Sequence, residues 1–252
     1  MDNINNIEVY TDGMKKSLLD KMFFMDKINS DTFIDYGCAD GTMLKFMSNL
    51  FNDYKYFGFD ISKQMLQLAQ KDYNGDIEFT DDWKQINTSL GDNSTLILSS
   101  IIHEVYTYGS LEDINTFWDR VFHSGFKYIV IRDMMLSNTS DRETDINDML
   151  SVKLNTDIFQ LFQFEDKWGK ITNNKNLIHY LLKYRYIHNW DRENQENYLP
   201  LTVEHFSRLI PKNYKIVFYE HYTLPFLKER VAEDFNIVLK DNTHMKIILK
   251  LK

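Results

Sequence analysis

The sequence predicts an α/β protein built on a mainly parallel, doubly wound sheet. Residues 14–135 alternate short apolar strands with helical segments, the order that places helices on both faces of a parallel sheet. The connections in this half are short. Towards the C-terminus, two strands flank a single helix, which predicts an antiparallel edge that completes a seven-stranded sheet.

The elements of the first half follow in order. Apolar runs predict strands at Thr32–Tyr36, Tyr54–Phe59, Ile77–Phe79, Thr95–Ser99 and Lys127–Arg132. Apolar residues at helical spacing predict helices at Met14–Lys27, Thr42–Leu50, Ile61–Tyr73, Ile101–Tyr108 and Leu111–Phe122. Ser62 is placed to cap the third of these helices.

The strand–helix alternation stops after Met135. Roughly 75 residues separate it from the next strand, Lys215–Tyr219, which is far longer than an ordinary connection. Helices are expected within this interval at Ile146–Phe162 and Leu177–Tyr186. We therefore predict one domain of residues 1–136 and 214–252, with a mostly helical insertion, residues 137–213, as a cap for substrate recognition. A helix at Phe226–Phe235 and the strand Met245–Leu251 complete the domain.

Composition narrows the class of protein. Hydrophobic residues make up 43% and charged residues 26%, as in ordinary globular proteins. A net charge of −8 argues against a surface that binds nucleic acid or membranes as a whole. Cys38 is the single cysteine, so an intramolecular disulfide and a cysteine-based zinc site are excluded. The polar start and the absence of any run of 18 apolar residues predict a cytoplasmic protein.

A glycine turn and the acids that follow it carry the strongest chemical signal. Gly37 and Gly41 lie between the first strand and its helix, where glycine lets a ligand approach the backbone. Asp60 ends the second strand about 20 residues later, where a carboxylate accepts hydrogen bonds from ribose hydroxyls. Asp81 and Asp82 end the third strand, where one of them would receive an adenine amino group. Parallel strands bring these features to one edge of the sheet.

These residues resemble the class I S-adenosylmethionine (SAM)-dependent methyltransferases, a Rossmann-like superfamily. The segment from Asp35 to Gly41 is similar to the family's first motif, although Ala39 stands where a glycine is often found. Asp60 matches the ribose-binding acid, and the stretch from Leu98 to Glu104 resembles the one that faces the methyl group. The resemblance covers residues 14–135 and 214–252. It implies SAM as cofactor, S-adenosylhomocysteine (SAH) as product, and these cofactor-binding residues: Asp35, Gly37, Cys38, Ala39, Gly41, Asp60, Ile61, Asp81, Asp82, Trp83, Ser99 and Ser100.

A nicotinamide dehydrogenase is the rival class for a glycine turn followed by an acid. That class more often has Gly-x-Gly-x-x-Gly, whereas Gly37 and Gly41 are separated by three residues. A residue suited to assist hydride transfer does not stand out either. The pattern favours methyl transfer.

His103 is the candidate catalytic base, because it follows the fourth strand close to the expected methyl position. A histidine that lines or caps the turn is the alternative. Glu104 and Asp133 are weaker candidates, since acids at strand ends also cap helices. Tyr106 and Asp133 are expected to contact the acceptor, although Tyr106 is equally compatible with the core. No ligand spacing among the acids and histidines is distinctive, so we assign no metal ligand and metal dependence stays open.

The segment Lys167–Arg192 mixes six basic residues with aromatic ones. This mixture suits phosphate contact and base stacking in a nucleic-acid groove. It also fits a helix that packs its apolar side inward and leaves its charges in solvent. A third interpretation is a small anionic acceptor held by His179, Lys183 or Arg185.

Three functional hypotheses remain open at this level. The first is a methyltransferase whose small-molecule acceptor lies between the strand ends and the cap. The second is a nucleic-acid methyltransferase that uses residues 167–192. An Asn-Pro-Pro-Tyr signature, which indicates amino methylation of bases, is absent after the fourth strand. The third is a module that binds SAM or SAH without turnover.

Overall fold

The computed structural model describes residues 17–71, 75–89 and 93–252. They divide into two compact units. Unit 1 comprises the described part of Met1–Asp133 together with Pro211–Tyr219 and Lys246–Lys252. Unit 2 comprises Met134–Ile210 and Glu220–Met245. The role of residues 137–213 as a cap stays a prediction.

The central sheet has seven strands in the order β3-β2-β1-β4-β5-β7-β6. The strands are β1 (Thr32–Tyr36), β2 (Lys55–Phe59), β3 (Ile77–Thr80), β4 (Ser94–Ser99), β5 (Tyr128–Met134), β6 (Tyr214–Tyr222) and β7 (His244–Leu251). Neighbours among β1 to β5 pair in parallel. Because β1 is flanked by β2 and β4, the chain reverses its winding direction at β1, and open α/β sheets bind ligands beside that point.

The last two strands are antiparallel to their neighbours. The Leu251 N–H donates to the Lys127 carbonyl over 2.9 Å, whereas the Met135 N–H donates to the Thr243 carbonyl over 3.0 Å. The start of β5 therefore lies beside the end of β7. This mainly parallel sheet with an antiparallel C-terminal edge confirms the fold class that the resemblance to class I methyltransferases implied.

Of the helices that the structure describes in unit 1, five correspond to predicted ones, mostly with different lengths, and a sixth was not predicted. They are α1 (Leu18–Lys21), α2 (Thr42–Leu50), α3 (Lys63–Gln70), α4 (Trp83–Ser89), α5 (Ile102–Tyr108) and α6 (Leu111–His123). Ser62 caps α3 as expected, because its side chain accepts from the Met65 N–H. The sequence did not predict α4. Tyr73, the predicted end of α3, lies outside the described residues.

The predicted helix Met14–Lys27 is wrong in extent. Met14 lies outside the described residues, and α1 ends at Lys21 with turns after it. Met22 and Phe24 both enter the core of unit 1, and the Phe24 ring lies 6.1 Å from that of Phe33. Residues two apart do not share one face of a helix, so the chain leaves the helical path to bury both.

Unit 2 is mostly helical. Its helices are α7 (Ile146–Asn155), α8 (Ile158–Trp168), α9 (Asn174–Lys183), α10 (Trp190–Gln195), α11 (Val203–Leu209) and α12 (Pro225–Phe235), with 3-10 turns at Asn138–Ser140 and Ile187–Asn189. The single predicted helix Ile146–Phe162 is wrong, because it divides at Thr156. Asp157 caps the second half by accepting from the Phe159 and Gln160 N–H groups. Among the described residues, every helix is too short or too polar to span a bilayer.

Candidate functional site

The turn after β1 is tightly wound at the carboxyl end of the sheet. Gly37, Ala39 and Gly41 have φ angles of +79°, +48° and +71°, the left-handed region that glycine adopts at least cost. A Cβ on Gly41 would lie 2.6 Å from the Phe79 ring. Glycine is therefore required at position 41 for backbone and packing reasons together.

Asp60 joins the end of β2 to this turn. One carboxylate oxygen accepts from the Ala39 N–H over 2.9 Å, and the other accepts from the Ser62 N–H over 2.8 Å. Burial raises the pKa of Asp60, and these two hydrogen bonds oppose the shift. The structure thus brings the glycine turn and the predicted ribose-binding acid together, while the adjacent Ile61 is exposed.

Asp35 is buried at the end of β1. Burial raises its pKa to about 7, the charge of Lys21 opposes the rise, and the charge of Asp60 adds to it. Its carboxylate accepts no hydrogen bond from another residue that the structure describes. A buried carboxylate without donors is poised for a cationic ligand. Burial also raises the pKa of the Cys38 thiol, so this residue lines the turn as an uncharged group.

The acids after β3 differ from each other. Asp82 accepts from the Lys84 N–H over 2.9 Å and caps α4. Asp81 is exposed and makes no hydrogen bond with a described residue. Trp83 is buried instead, with its ring 5.2 Å from those of Tyr36 and Phe59. The indole N–H of Trp83 has no partner among the described residues.

The end of β4 is strained. Ser100 has a φ of +60°, which is uncommon outside glycine and costs on the order of 1–3 kcal/mol. Its N–H donates to the Arg132 carbonyl over 2.8 Å, and its hydroxyl accepts from the Arg132 guanidinium over 3.1 Å. The neighbouring Ser99 hydroxyl is buried and has no hydrogen-bond partner within the described ranges of the chain. Such strain is typical of binding sites.

His103 and Asp133 form a buried pair. One oxygen of Asp133 lies 2.8 Å from His103 Nδ1, and the other accepts from the Ile102 N–H over 2.7 Å. An ionised Asp133 accepts a hydrogen bond from the Nδ1–H group. The other ring nitrogen, Nε2, then carries the lone pair and is the basic group. The same arrangement orients histidines in hydrolytic triads and at metals. His103 and Glu104 also offer ligand atoms within 4.8 Å of each other.

Tyr106 is half-buried, and its hydroxyl accepts from the Trp118 indole over 3.0 Å. Burial raises the pKa of the phenol, and the Trp118 bond opposes this shift. The hydrogen bond fixes the orientation of the Tyr106 ring on α5.

Sequence reasoning missed the charges that α1 and β5 contribute. Asp20 accepts from Arg132 over 2.9 Å and from Lys246 over 2.6 Å. Burial lowers the pKa of Lys21, and the positive charge of Arg132 adds to this effect. Asp20 and Arg132 are 112 residues apart, so no local motif could have paired them.

Three predicted acceptor contacts lie in unit 2 and are engaged there. The Lys183 ammonium donates to the Glu193 and Glu196 carbonyls over 2.8 and 2.7 Å. His179 is buried beside Trp168, at 4.9 Å between rings, and burial lowers its pKa well below the usual range. Arg185 forms a bidentate pair with Asp234, with both distances 2.7 Å.

No protein-family model matches the sequence, and no curated protein matches it. Solved structures resemble the fold at low identity. The plantazolicin methyltransferase BpumL in complex with SAH is 12% identical, with 100% of this chain and 92% of that chain covered and a TM-score of 0.49. The methyltransferase domain of bacterial CtHen1-C is also 12% identical, with 93% and 96% covered and a TM-score of 0.49. Because these scores are below 0.5, the fold class rests on the strand order described above.

Proposed function

We propose that this protein transfers the methyl group of SAM to a small-molecule acceptor. The observation that carries the proposal is the meeting of Asp60 with the turn from Gly37 to Gly41. This contact puts a carboxylate for ribose hydroxyls beside a backbone that a ligand can approach. The buried Asp35 adds a carboxylate near the same strand ends, which suits the ammonium group in the amino-acid part of SAM.

The residues present fit the cofactor. Asp60 would accept from the ribose hydroxyls with its remaining lone pairs. Of the two acids after β3, we propose Asp81 for the adenine amino group, because Asp82 is occupied in capping α4. Trp83 would support this region from the core. SAM would supply an electrophilic methyl group bonded to a sulfonium.

His103 would prepare the acceptor. Its Nε2 would take the proton of the acceptor X–H group as the lone pair of X bonds to the methyl carbon. The electron pair of the carbon–sulfur bond would stay on sulfur, which leaves SAH. Asp133 holds the ring and stabilises the imidazolium that forms. Alignment of acceptor and methyl group supplies much of the acceleration.

A small-molecule acceptor is preferred to nucleic acid because of the segment 167–192. Lys183 is 0% exposed, and Arg185 is paired with Asp234. Lys170 is likewise paired with Glu165. These cations are engaged within unit 2, which leaves fewer charges for phosphate contacts.

Calorimetric titration with SAM and SAH tests the cofactor. Wild-type protein is expected to bind both ligands at micromolar concentrations. Asp60→Asn should bind them at least about tenfold more weakly, because it loses one charge-assisted hydrogen bond. Asp119→Ala is the control, because this acid is exposed on α6 and, among the residues that the structure describes, pairs only with His123. It should bind like wild type.

Transfer of a labelled methyl group to metabolite, RNA and protein fractions then tests the reaction, with and without a divalent metal ion. Label in metabolites supports the proposal. Binding without transfer to any fraction would favour the non-catalytic module. Folded wild-type protein that binds neither SAM nor SAH would refute the proposed function.

A further inference from the structure

Unit 2 exposes an apolar face on helices α7 and α8. It consists of six large side chains that are between 46% and 81% exposed: Ile146, Leu150, Leu154, Ile158, Phe159 and Phe162. We call these six residues the α7–α8 face. Monomeric proteins rarely expose so many large apolar side chains together, and such patches mark interaction surfaces.

The helical spacing explains how the face arises. Ile146, Leu150 and Leu154 are four residues apart, so they lie along one side of α7. The opposite side of α7 sends Val152 into the core of unit 2. Both helices therefore have two apolar sides, and the core of unit 2 covers only one side of each helix.

The two exposed sides are neighbours along the chain. Only Thr156 and Asp157 separate α7 from α8, so Leu154 and Ile158 are close along the chain. In α8, Leu161 is buried whereas Phe162, the next residue, is exposed.

We propose that the α7–α8 face is the interface of a homodimer, in which a second copy of this chain covers it around a twofold axis. Phe159 and Phe162, 79% and 64% exposed, together offer on the order of 300 Å². That is more than a third of the roughly 800 Å² that each partner contributes to a standard interface. The four aliphatic side chains supply much of the remainder.

The charges around the face fit a second copy. Lys153 and Asp157 flank Leu154, and both are exposed. Lys153 forms no ion pair with another residue in the described part of the chain. A twofold axis sets the face against itself, so that a rim with both signs of charge pairs across the interface.

Other occupants fit less well. The net charge of −8 disfavours an anionic membrane surface. Small ligands bind in concave sites, and two cavities of about 300 and 450 Å³ in unit 2 are lined by residues outside the α7–α8 face.

Sedimentation equilibrium of the purified full chain tests the proposal. Wild-type protein should have twice the 30.2 kDa mass of one chain. Phe159→Glu should raise the dimer dissociation constant at least about 30-fold, as expected for an interface hot spot. Leu111→Glu is the matched control, because it puts the same charge on another exposed leucine, on α6. It should leave the dimer intact.

Circular dichroism spectra should be the same for all three proteins, since both substituted residues are exposed. The thermal midpoint of Phe159→Glu should fall only by as much as the lost dimer contributes. Wild-type protein that is monomeric at about 100 μM, a weak affinity by any standard, would overturn the proposal. So would a Phe159→Glu variant that dimerises as tightly as wild type. Wild-type protein that is monomeric and floats with anionic lipid vesicles, when Phe159→Glu does not float, would instead assign the face to a membrane.

Discussion

Asp35 in unit 1 and Lys183 in unit 2 are both buried ionisable groups, and burial is the main cause that displaces the pKa of each to about 7. They differ in what surrounds the charge. The Lys183 ammonium donates to two carbonyls and lies 4.5 Å from the Tyr198 ring centroid and 5.2 Å from that of Trp168. The Asp35 carboxylate accepts no hydrogen bond within the described residues.

This difference indicates a structural role for Lys183, and we propose a ligand-binding role for Asp35. Lys183 is satisfied by its own chain, so it holds the α10 segment to α9 and helps to order unit 2. Burial destabilises the Asp35 carboxylate, and the charge of Lys21 offsets this only in part. A protein tolerates such a group where a ligand supplies a further partner. Substitutions in the two units should therefore affect different properties.

The largest expected effect is on catalysis. Without its base, His103→Ala should lower kcat by about 10²- to 10⁴-fold, with SAM affinity unchanged. Asp133→Asn should lower kcat by a similar or smaller factor, because the asparagine cannot fix the Nδ1–H tautomer. Steady-state kinetics and calorimetry on the same preparations measure both quantities.

The pH profile distinguishes a base from a structural histidine. In wild-type protein, kcat should fall at acidic pH if a base is required, and this acidic limb should be lost in His103→Ala. Unchanged kcat in a folded His103→Ala variant would leave only the structural role for this residue.

The next effect is on stability. Lys183→Met removes the ammonium that donates to the Glu193 and Glu196 carbonyls, so unit 2 should lose about 2–4 kcal/mol of unfolding free energy. Lys170→Met should lose less than about 1 kcal/mol, because its ion pair with Glu165 involves an exposed lysine. Urea unfolding measures both variants. SAM affinity should not change, and a stable Lys183→Met protein with impaired acceptor binding would contradict the structural role.

The smallest effect links Asp35 to pH. Its folded pKa of about 7 lies above the usual value of 3.8, so its stabilising contribution is complete below pH 3.8 and lost as the pH rises through 7. Asp35→Asn removes this loss. The variant should exceed wild type in stability by about 1–3 kcal/mol near pH 8 and by less near pH 5.

The same substitution should weaken SAM binding, because the variant lacks the negative charge. Urea unfolding at the two pH values and calorimetry near pH 8 provide the check. A variant that binds SAM as tightly as wild type would remove Asp35 from the proposed site.

Several parts of the fold and site followed from local sequence. The strands were predicted to within a few residues, because each is a short apolar run bounded by turn residues. Gly37, Gly41 and Asp60 were predicted to meet, and parallel strands with short connections leave their carboxyl ends at one edge. Ser62 as a helix cap was also predicted, since capping depends on only four consecutive residues.

Other parts depend on residues that are distant in the chain. The helix break at Asp157 was missed because the apolar spacing continues across it. The burial of Lys183 was not evident either, since a lysine in an aromatic-rich helix has the same local pattern whether it faces solvent or core.

The sequence by itself determined the order of strands and helices, the glycine turn and the acids at the strand ends, because backbone preferences and hydrophobic periodicity act over a few residues. Only the tertiary structure decided that Asp133 orients His103, that Arg132 binds Asp20, and that Lys183 is enclosed. Hydrogen bonds and desolvation depend on distances between groups that folding brings together, and 30 to 112 positions separate the first two pairs.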